Sequence, residues 1–422
     1  MYDVLNAYLE NGLKIVLHKI PEAKTIACGL WIGQGSSYET DANNGLSHLA
    51  EHLLLNPENE RNKAYGEIMD KASSNGVIYN AATTKEYTCY HFTGLKNTMS
   101  LCLDALSCIA KENREFAEEF FENEKKVVLQ EATGFYSSFQ QIKERTGQAI
   151  WGNSGTGKII MGDMKNITNA GKKQIDEILQ TAYVPENATI VVLGDVNYTE
   201  ILPMIEEKFG DWQENRNRTE EGAIEKMPGI YLNQGKGAST VLSVGFRAPA
   251  YNAKNRPSTD MMVRILGQSG MQSRLVQEIR MKRGLSYTLG GFSSFYRNRG
   301  TIGFTAVCDK EKTLEVAKIM MDVLNEAREN GFSEEEIQRE KHIMETSMLL
   351  SVDNITDHLR YIGKCNVFKR EFYVENEIRA VRDIGKEELE KTAREILQED
   401  NMGLAVMGEC NPEALLDAVV LG

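Results

Sequence analysis

Apolar residues recur along this chain with two different periods, and the switches between them mark its elements. Residues 11–20 read NGLKIVLHKI, where Leu13, Ile15 and Leu17 alternate with Lys14, Val16 and His18. That period of two predicts a strand with one buried face. TIACGLWIG (25–33) predicts a second strand, followed by a polar turn and a helix from about residue 43. The plan recurs later: IYLNQG and STVLSVGFRA (239–248) predict strands, then come a polar turn and a helix from about Ser258 through Leu266. NATIVVLGDVN (187–197) and NMGLAVMGECN (401–411) share the pattern Asn-x-x-Ile/Leu-x-Val-Leu/Met-Gly-Asp/Glu-x-Asn, about half the chain apart. Each copy follows a charged helical pattern, QIDEILQTAYVPEN (174–187) and ELEKTAREILQEDN (388–401). Matching context at that separation indicates a duplication. The expected fold is α+β, with two homologous α/β-roll domains, each a mostly antiparallel sheet with helices packed on one face. The polar stretch 211–226 has no apolar period and reads as a linker. The expected domains are 1–215 and 226–422, joined by 216–225.

Composition agrees with two such cores. The chain has 422 residues, 41% hydrophobic and 26% charged, which is the balance of a water-soluble globular protein. A formal net charge of -13 argues against a nucleic-acid binder, since nothing neutralises a phosphate backbone, and favours cationic partners such as basic peptides. No apolar run approaches the roughly 20 residues that cross a bilayer, so no membrane partner is expected. The opening residues Met1–Asn6 lack the basic stretch and apolar core of a secretory signal. The seven cysteines are scattered and form no C-x-x-C pair, which argues against a disulfide scaffold and a cysteine zinc ribbon. Cys102 and Cys108 lie in an apolar stretch and read as buried packing residues. A reducing cytoplasm is the expected location.

Candidate chemistry concentrates in GLSHLAEHLLLN (45–56). His48 and His52 are four apart, so on a helix both imidazoles project from one face, one turn apart. That spacing suits two nitrogen ligands on one zinc ion. Glu51 lies beside them and can take a proton from a zinc-activated water and pass it to a leaving amine. The bland alternative is an amphipathic helix whose histidines merely pack or cap. Against it, two of only six histidines share this face with an intervening glutamate. A catalytic zinc also needs a third protein ligand. The helical pattern EFFENEKKVVLQEATGFYSS (119–138) offers Glu124 and Glu131, seven apart and therefore on one face. Acidic residues on a helix face usually meet solvent, and composition alone does not single out Glu131.

The H-x-x-E-H order is the inverzincin signature. With NGLKIVL, the GSSYE turn (35–39), NAATTKEYT (80–88), NEKKVVLQE (123–131), YVPEN with LGD (183–195) and SRLVQEIRMKRGLSYTLG (273–290), the chain resembles the pitrilysin/insulinase family. The likeness runs over essentially the whole chain and is greatest to the short, mitochondrial-processing-peptidase-like branch. It implies a zinc-dependent endopeptidase with one Zn2+ per chain on His48, His52 and Glu131, with Glu124 in support. It also implies that Arg280 and Tyr287 bind the substrate backbone, where guanidinium and phenol can meet a scissile carbonyl and its developing oxyanion. Asn80, Ala81 and Ala82 match a substrate-binding strand, whose open edge a peptide could join by backbone hydrogen bonds. LLLNPENER, after the second histidine, departs from the family's usual sequence. In the second half DMMVR (260–264) stands where HLAEH stands in the first, and it cannot bind zinc.

The resemblance further implies a homodimer with composite active sites, acting on peptides or unfolded precursor segments. The competing class is a catalytically silent partner or scaffold subunit of a processing-peptidase-like complex, because some members have lost the site. Retention of both the metal set and the Arg/Tyr pair favours the enzyme. A nucleotide site built on GQGSS (33–37) fails because no Walker lysine follows.

Overall fold

The computed structural model describes residues 3–213, 228–235 and 237–421. The expected linker 216–225 lies outside the described residues. Those described fall into two compact units. One draws on 1–134, 158–222 and 350–373, the other on 135–157, 223–349 and 374–422.

The first unit carries a six-stranded sheet of β1 (Asp3–Tyr8), β2 (Lys14–Lys19), β3 (Thr25–Ile32), β4 (Ile78–Thr83), β5 (Thr88–Leu95) and β6 (Ala188–Gly194), in the order β1-β2-β6-β3-β5-β4. The pair β2/β6 is parallel and the other pairs are antiparallel. The second unit carries β7 (Ile230–Asn233), β8 (Ser239–Ala248), β9 (Thr288–Phe295), β10 (Gly300–Asp309) and β11 (Met402–Met407), in the order β7-β11-β8-β10-β9. Here β7/β11 is the parallel pair. Apart from the extra β1, the two sheets have the same topology. The repeated sequences occupy equivalent places: β6 and β11 each lie between a parallel neighbour and an antiparallel one. Their shared glycines, Gly194 and Gly408, have φ of 139° and 120°, a backbone region that other residues rarely enter. The repeat therefore preserves how each strand ends as well as its apolar face.

Most helices cover one face of each sheet, as the apolar periods lead one to expect, and one further helix lies on the other face. In the first unit Leu13, Ile15, Leu17, Cys28 and Leu30 pack with Leu49, Leu53, Cys102, Leu106 and Phe121 into one buried core. The opposite face departs from the simple alternation. Val16 and His18 are as deeply buried as their neighbours on β2, at 2% and 1% exposure. The cause is the helix Ile355–Val367, which belongs to the second half of the sequence but packs on β3 and β6 of the first unit. The approach is close: a Cβ on Gly363 would lie 2.0 Å from Cε2 of Trp31, so only glycine fits there. The second unit makes the reciprocal arrangement. The helix Ile142–Trp151 lies on β8 and β11, where Thr146 Oγ1 donates to Ser243 Oγ at 2.7 Å and Trp151 Nε1 to Thr301 Oγ1 at 2.8 Å. Each sheet thus has two covered faces, and the compact units differ from a cut at 216–225 by one exchanged segment each.

Three histidines lie where the exchanged helix meets the first sheet, His358 on the helix and His18 and His91 on strands. The His18 and His358 rings meet edge-on at 4.8 Å, and Nε2 of His91 lies 3.1 Å from Arg360 Nη2. Burial, with the neighbouring His358 charge, pushes the His18 pKa down to about 3. Burial lowers His358 to about 4, and burial with the Arg360 charge lowers His91 to about 4. Depressed histidines bind protons in the unfolded chain before they do in the folded one. Stability is therefore full above pH 6.5 and falls as pH drops from there towards 4, by at most about 1.4 kcal/mol per pH unit for each histidine. Urea midpoints measured from pH 7.5 to 5 should fall steadily, and His18→Leu with His358→Leu should flatten the slope. An equally steep slope in that double variant would place the acid sensitivity elsewhere.

Candidate metal centre

The short helix Leu46–Leu55 presents both histidines, and its apolar side explains its position. Leu46, Leu49, Leu53 and Leu54 are wholly buried, which leaves His48 and His52 on the remaining face. Gly45 at the N-cap offers no side-chain cap. Glu39, from the preceding turn, does that work. Its buried carboxylate accepts from the backbone amides of Ser47 (2.7 Å) and Gly45 (2.9 Å) and from Asn44 Nδ2 (2.8 Å). A carboxylate there satisfies amides that the helix itself leaves free and complements the helix dipole. The start of the helix, and with it His48, is fixed one turn before the first imidazole.

The helix Glu118–Tyr136 runs beside it and brings the two glutamates. Glu131 Oε2 lies 3.7 Å from His48 Nε2 and 3.5 Å from His52 Nε2. The two rings stand edge-on, with centroids 4.8 Å apart. One ligand atom from each of His48, His52 and Glu131 falls within 4.8 Å of the others, and among the described residues this is the one cluster of three such groups. Two imidazoles and a carboxylate converge here, with Glu131 left 45% exposed, and this is a donor set that could hold a metal ion such as zinc. Burial, helped by the His52 charge, lowers the His48 pKa to about 4, so this imidazole is neutral at pH 7 with a lone pair to offer. Burial also acts to lower His52, but the Glu124 hydrogen bond and the charges of Glu131, Glu51 and Glu124 outweigh it and raise its pKa.

Glu124 belongs to a different layer of the site. It is 6% exposed, with Oε2 3.5 Å from His52 Nδ1 and Oε1 accepting from Asn56 Nδ2 at 2.6 Å. Its carboxylate thus meets the His52 ring at the nitrogen away from Glu131, an arrangement of the kind in which a carboxylate can orient a metal-ligating histidine. Asn56 was not singled out from sequence. Its signal was its place directly after the helix, four residues beyond His52.

Glu51 is 8% exposed, on the same helix as the histidines. Burial raises its pKa, against the opposing hydrogen bond from Thr83 and the charge of His52. Asn80, Ala81 and Ala82 lie on β4, the last strand of the first sheet. Its outer edge is unpaired among the described residues, and Asn80 and Ala82 are exposed. Arg280 and Tyr287 lie in the second unit and are paired with one another, the guanidinium carbon 4.2 Å from the ring centre. Tyr287 is 80% exposed, an unusual state for a large aromatic residue.

Family models match in two consecutive stretches. Residues 14–163 match one described as insulinase (peptidase family M16), and residues 169–344 match one described as peptidase M16 inactive domain. An uncharacterized zinc protease of Mycobacterium tuberculosis is 25% identical over 407 residues, covering 95% of this chain and 92% of that protein. One of Bacillus subtilis is 25% identical over 393 residues, covering 93% and 95%. The fold resembles the crystal structure of a protease from Helicobacter pylori, with a TM-score of 0.86 at 19% identity over 97% of this chain and all of that one.

Proposed function

Because the chain belongs to the pitrilysin/insulinase family of peptidases, we propose that it is a zinc-dependent endopeptidase whose metal is held by His48, His52 and Glu131. The observation that carries this reading is the convergence of those three donors beside a buried Glu51. When bound, zinc supplies Lewis acidity that makes a water acidic near neutral pH and polarises a carbonyl. Glu51 takes the proton of the attacking water on its carboxylate and delivers it to the departing amine. Glu124 holds the His52 ring by its Nδ1. The unpaired edge of β4 offers backbone groups of Asn80–Ala82 to an extended peptide, which selects for unfolded or short substrates over folded ones. Seven cysteines outside any disulfide, six of them buried, accord with a reducing cytoplasm as the place of work.

If Glu124 orients His52, Glu124→Gln should weaken zinc binding by about 10–100-fold, the usual size of such outer contacts. Competition with a chromogenic chelator measures it, and an unchanged affinity would remove Glu124 from the site.

The working form is a homodimer in which Arg280 and Tyr287 of one chain serve the metal of the other. An exposed tyrosine stacked on an arginine suits a contact with something outside its own unit, here the scissile carbonyl and the oxyanion that develops from it. Mixing Glu51→Gln chains with Tyr287→Phe chains, each inactive alone, should restore activity, because one of the two sites in each mixed dimer then combines an intact base with an intact tyrosine. No recovery after demonstrated subunit exchange would refute shared sites.

A further inference from the structure

Beyond the metal ligands and the base, one polar ring joins the catalytic helix to the edge strand. Thr83 is the last residue of β4, and its hydroxyl donates to Glu51 Oε2 at 2.6 Å. Thr83 Oγ1 also lies 3.3 Å from Thr88 Oγ1, on the neighbouring strand. The Thr88 hydroxyl donates to the Gln34 carbonyl at 2.9 Å, and Gln34 Nε2 donates to Ser47 Oγ at 3.0 Å. Ser47 is on the histidine helix, next to His48 and one turn before Glu51. The ring therefore starts from the base, crosses two strands and returns to the helix that carries the base. Thr88, Ser47, Gln34 and Glu51 are all under 9% exposed. A buried polar network whose members satisfy one another is rigid, and it holds its groups in one orientation.

We propose that Thr83 is a positioning residue for hydrolysis, its hydroxyl fixing the Glu51 carboxylate relative to the strand on which the peptide lies. The proposal rests on the reading of Glu51 as the base and of β4 as the peptide's strand. Two features of the geometry carry it. The donor comes from β4 itself and not from the helix, so the base is tied to the surface that sets the register of the substrate. In addition, the hydroxyl of Thr88 is committed to the Gln34 carbonyl, which leaves the Thr83 proton to Glu51. A carboxylate free to rotate about its side chain would spend only part of its time aimed at the attacking water, and small misplacements of catalytic groups are expensive in rate. Thr83 touches neither substrate nor metal in this scheme. It acts only through Glu51.

Thr83→Val keeps the branched shape, the strand preference and the Thr83 backbone amide that also donates to Glu51, while deleting the hydroxyl donor. It should lower kcat by about ten- to a hundredfold, as expected for losing one hydrogen bond to a charged group. KM, zinc content and the melting temperature of the metal-free protein should change little, because the edge backbone and the ligands are untouched. Thr83→Ser, which restores the hydroxyl, should recover most of kcat. A purely structural threonine would behave otherwise: valine would alter melting or KM, and serine would not rescue. If valine does not fold, Thr83→Ala in its place, compared with serine, makes the same test. A valine variant with kcat within about twofold of wild type, or a serine variant as slow as valine, would overturn the proposal. Wild-type and Glu51→Gln proteins run in parallel separate this from the wider reading. Wild-type protein with no zinc-dependent hydrolysis would overturn both, whereas an active wild type with an unaffected valine variant would overturn the role of Thr83 alone.

Discussion

Glu51→Gln is expected to lower peptide hydrolysis by about 10²–10⁴-fold while the protein still binds one zinc per chain. Glutamine has nearly the shape of glutamate and can still accept the Thr83 hydrogen bond through its amide oxygen, so the pocket should persist. What it lacks is a basic oxygen. Glu51 sits within the histidine helix, largely out of solvent, and its raised pKa follows first from that burial. The charged carboxylate is therefore less stabilised than in water and readier to take a proton. Removing the acceptor eliminates proton transfer from the attacking water and leaves polarisation and binding in place, which accounts for a residual rate. Steady-state kinetics on an unstructured peptide, with zinc measured on the same sample, makes the comparison. Substantial remaining activity at full zinc occupancy would move the base to another residue.

The second large effect is expected in the metal itself. Glu131→Gln and His52→Ala should leave little zinc after dialysis, although both proteins should fold. Glu131 is 45% exposed and on the surface of its helix, so its loss costs the core almost nothing. His52 is more enclosed, at 19%. Its replacement leaves Glu124 buried without its ring partner, although Asn56 still donates to it. Removing one of three donors takes away the carboxylate charge or an imidazole, and the remaining pair is a poor zinc site. The contrast with Glu51→Gln is the informative part: one glutamate governs rate and the other governs occupancy. Equal zinc in both variants would require the two roles to be reassigned.

The sequence was most legible where the chemistry is local. His48, Glu51 and His52 share one helical turn, so a periodicity argument alone brings them together. Glu124 and Glu131 share a face by the same argument, but their approach to the histidines is tertiary, and nothing in their own segment marks it. Family resemblance supplied that link, and the helices lie side by side with the glutamates directed at the rings. Glu39, Asn56 and Thr83 escaped notice as individual site residues for the same reason. Each acts through hydrogen bonds to residues outside its own element, 5 to 8 positions away for Glu39, 68 for Asn56 and 32 for Thr83. The duplicated sheets were readable from the repeat because β6 and β11 keep both their apolar face and their terminal glycine. The exchanged helices were not. The segment 355–367 carries His358, Gly363 and Asn366 at buried positions, which weakens its apolar stripe, and its destination on the other sheet has no local signature. The burial of Val16 and His18 follows from that helix and could not be foreseen from the alternation on β2.

The central claim is that hydrolysis of peptides by this chain depends on zinc at a single site. The most direct test is to incubate purified protein with a library of unstructured peptides before chelation, after removal of metal, and after return of one equivalent of zinc. Internal cleavage that disappears with the metal and returns at one zinc per chain is the predicted result. Cleavage that survives complete removal of metal, or its absence from protein carrying a full equivalent of zinc, would contradict the account.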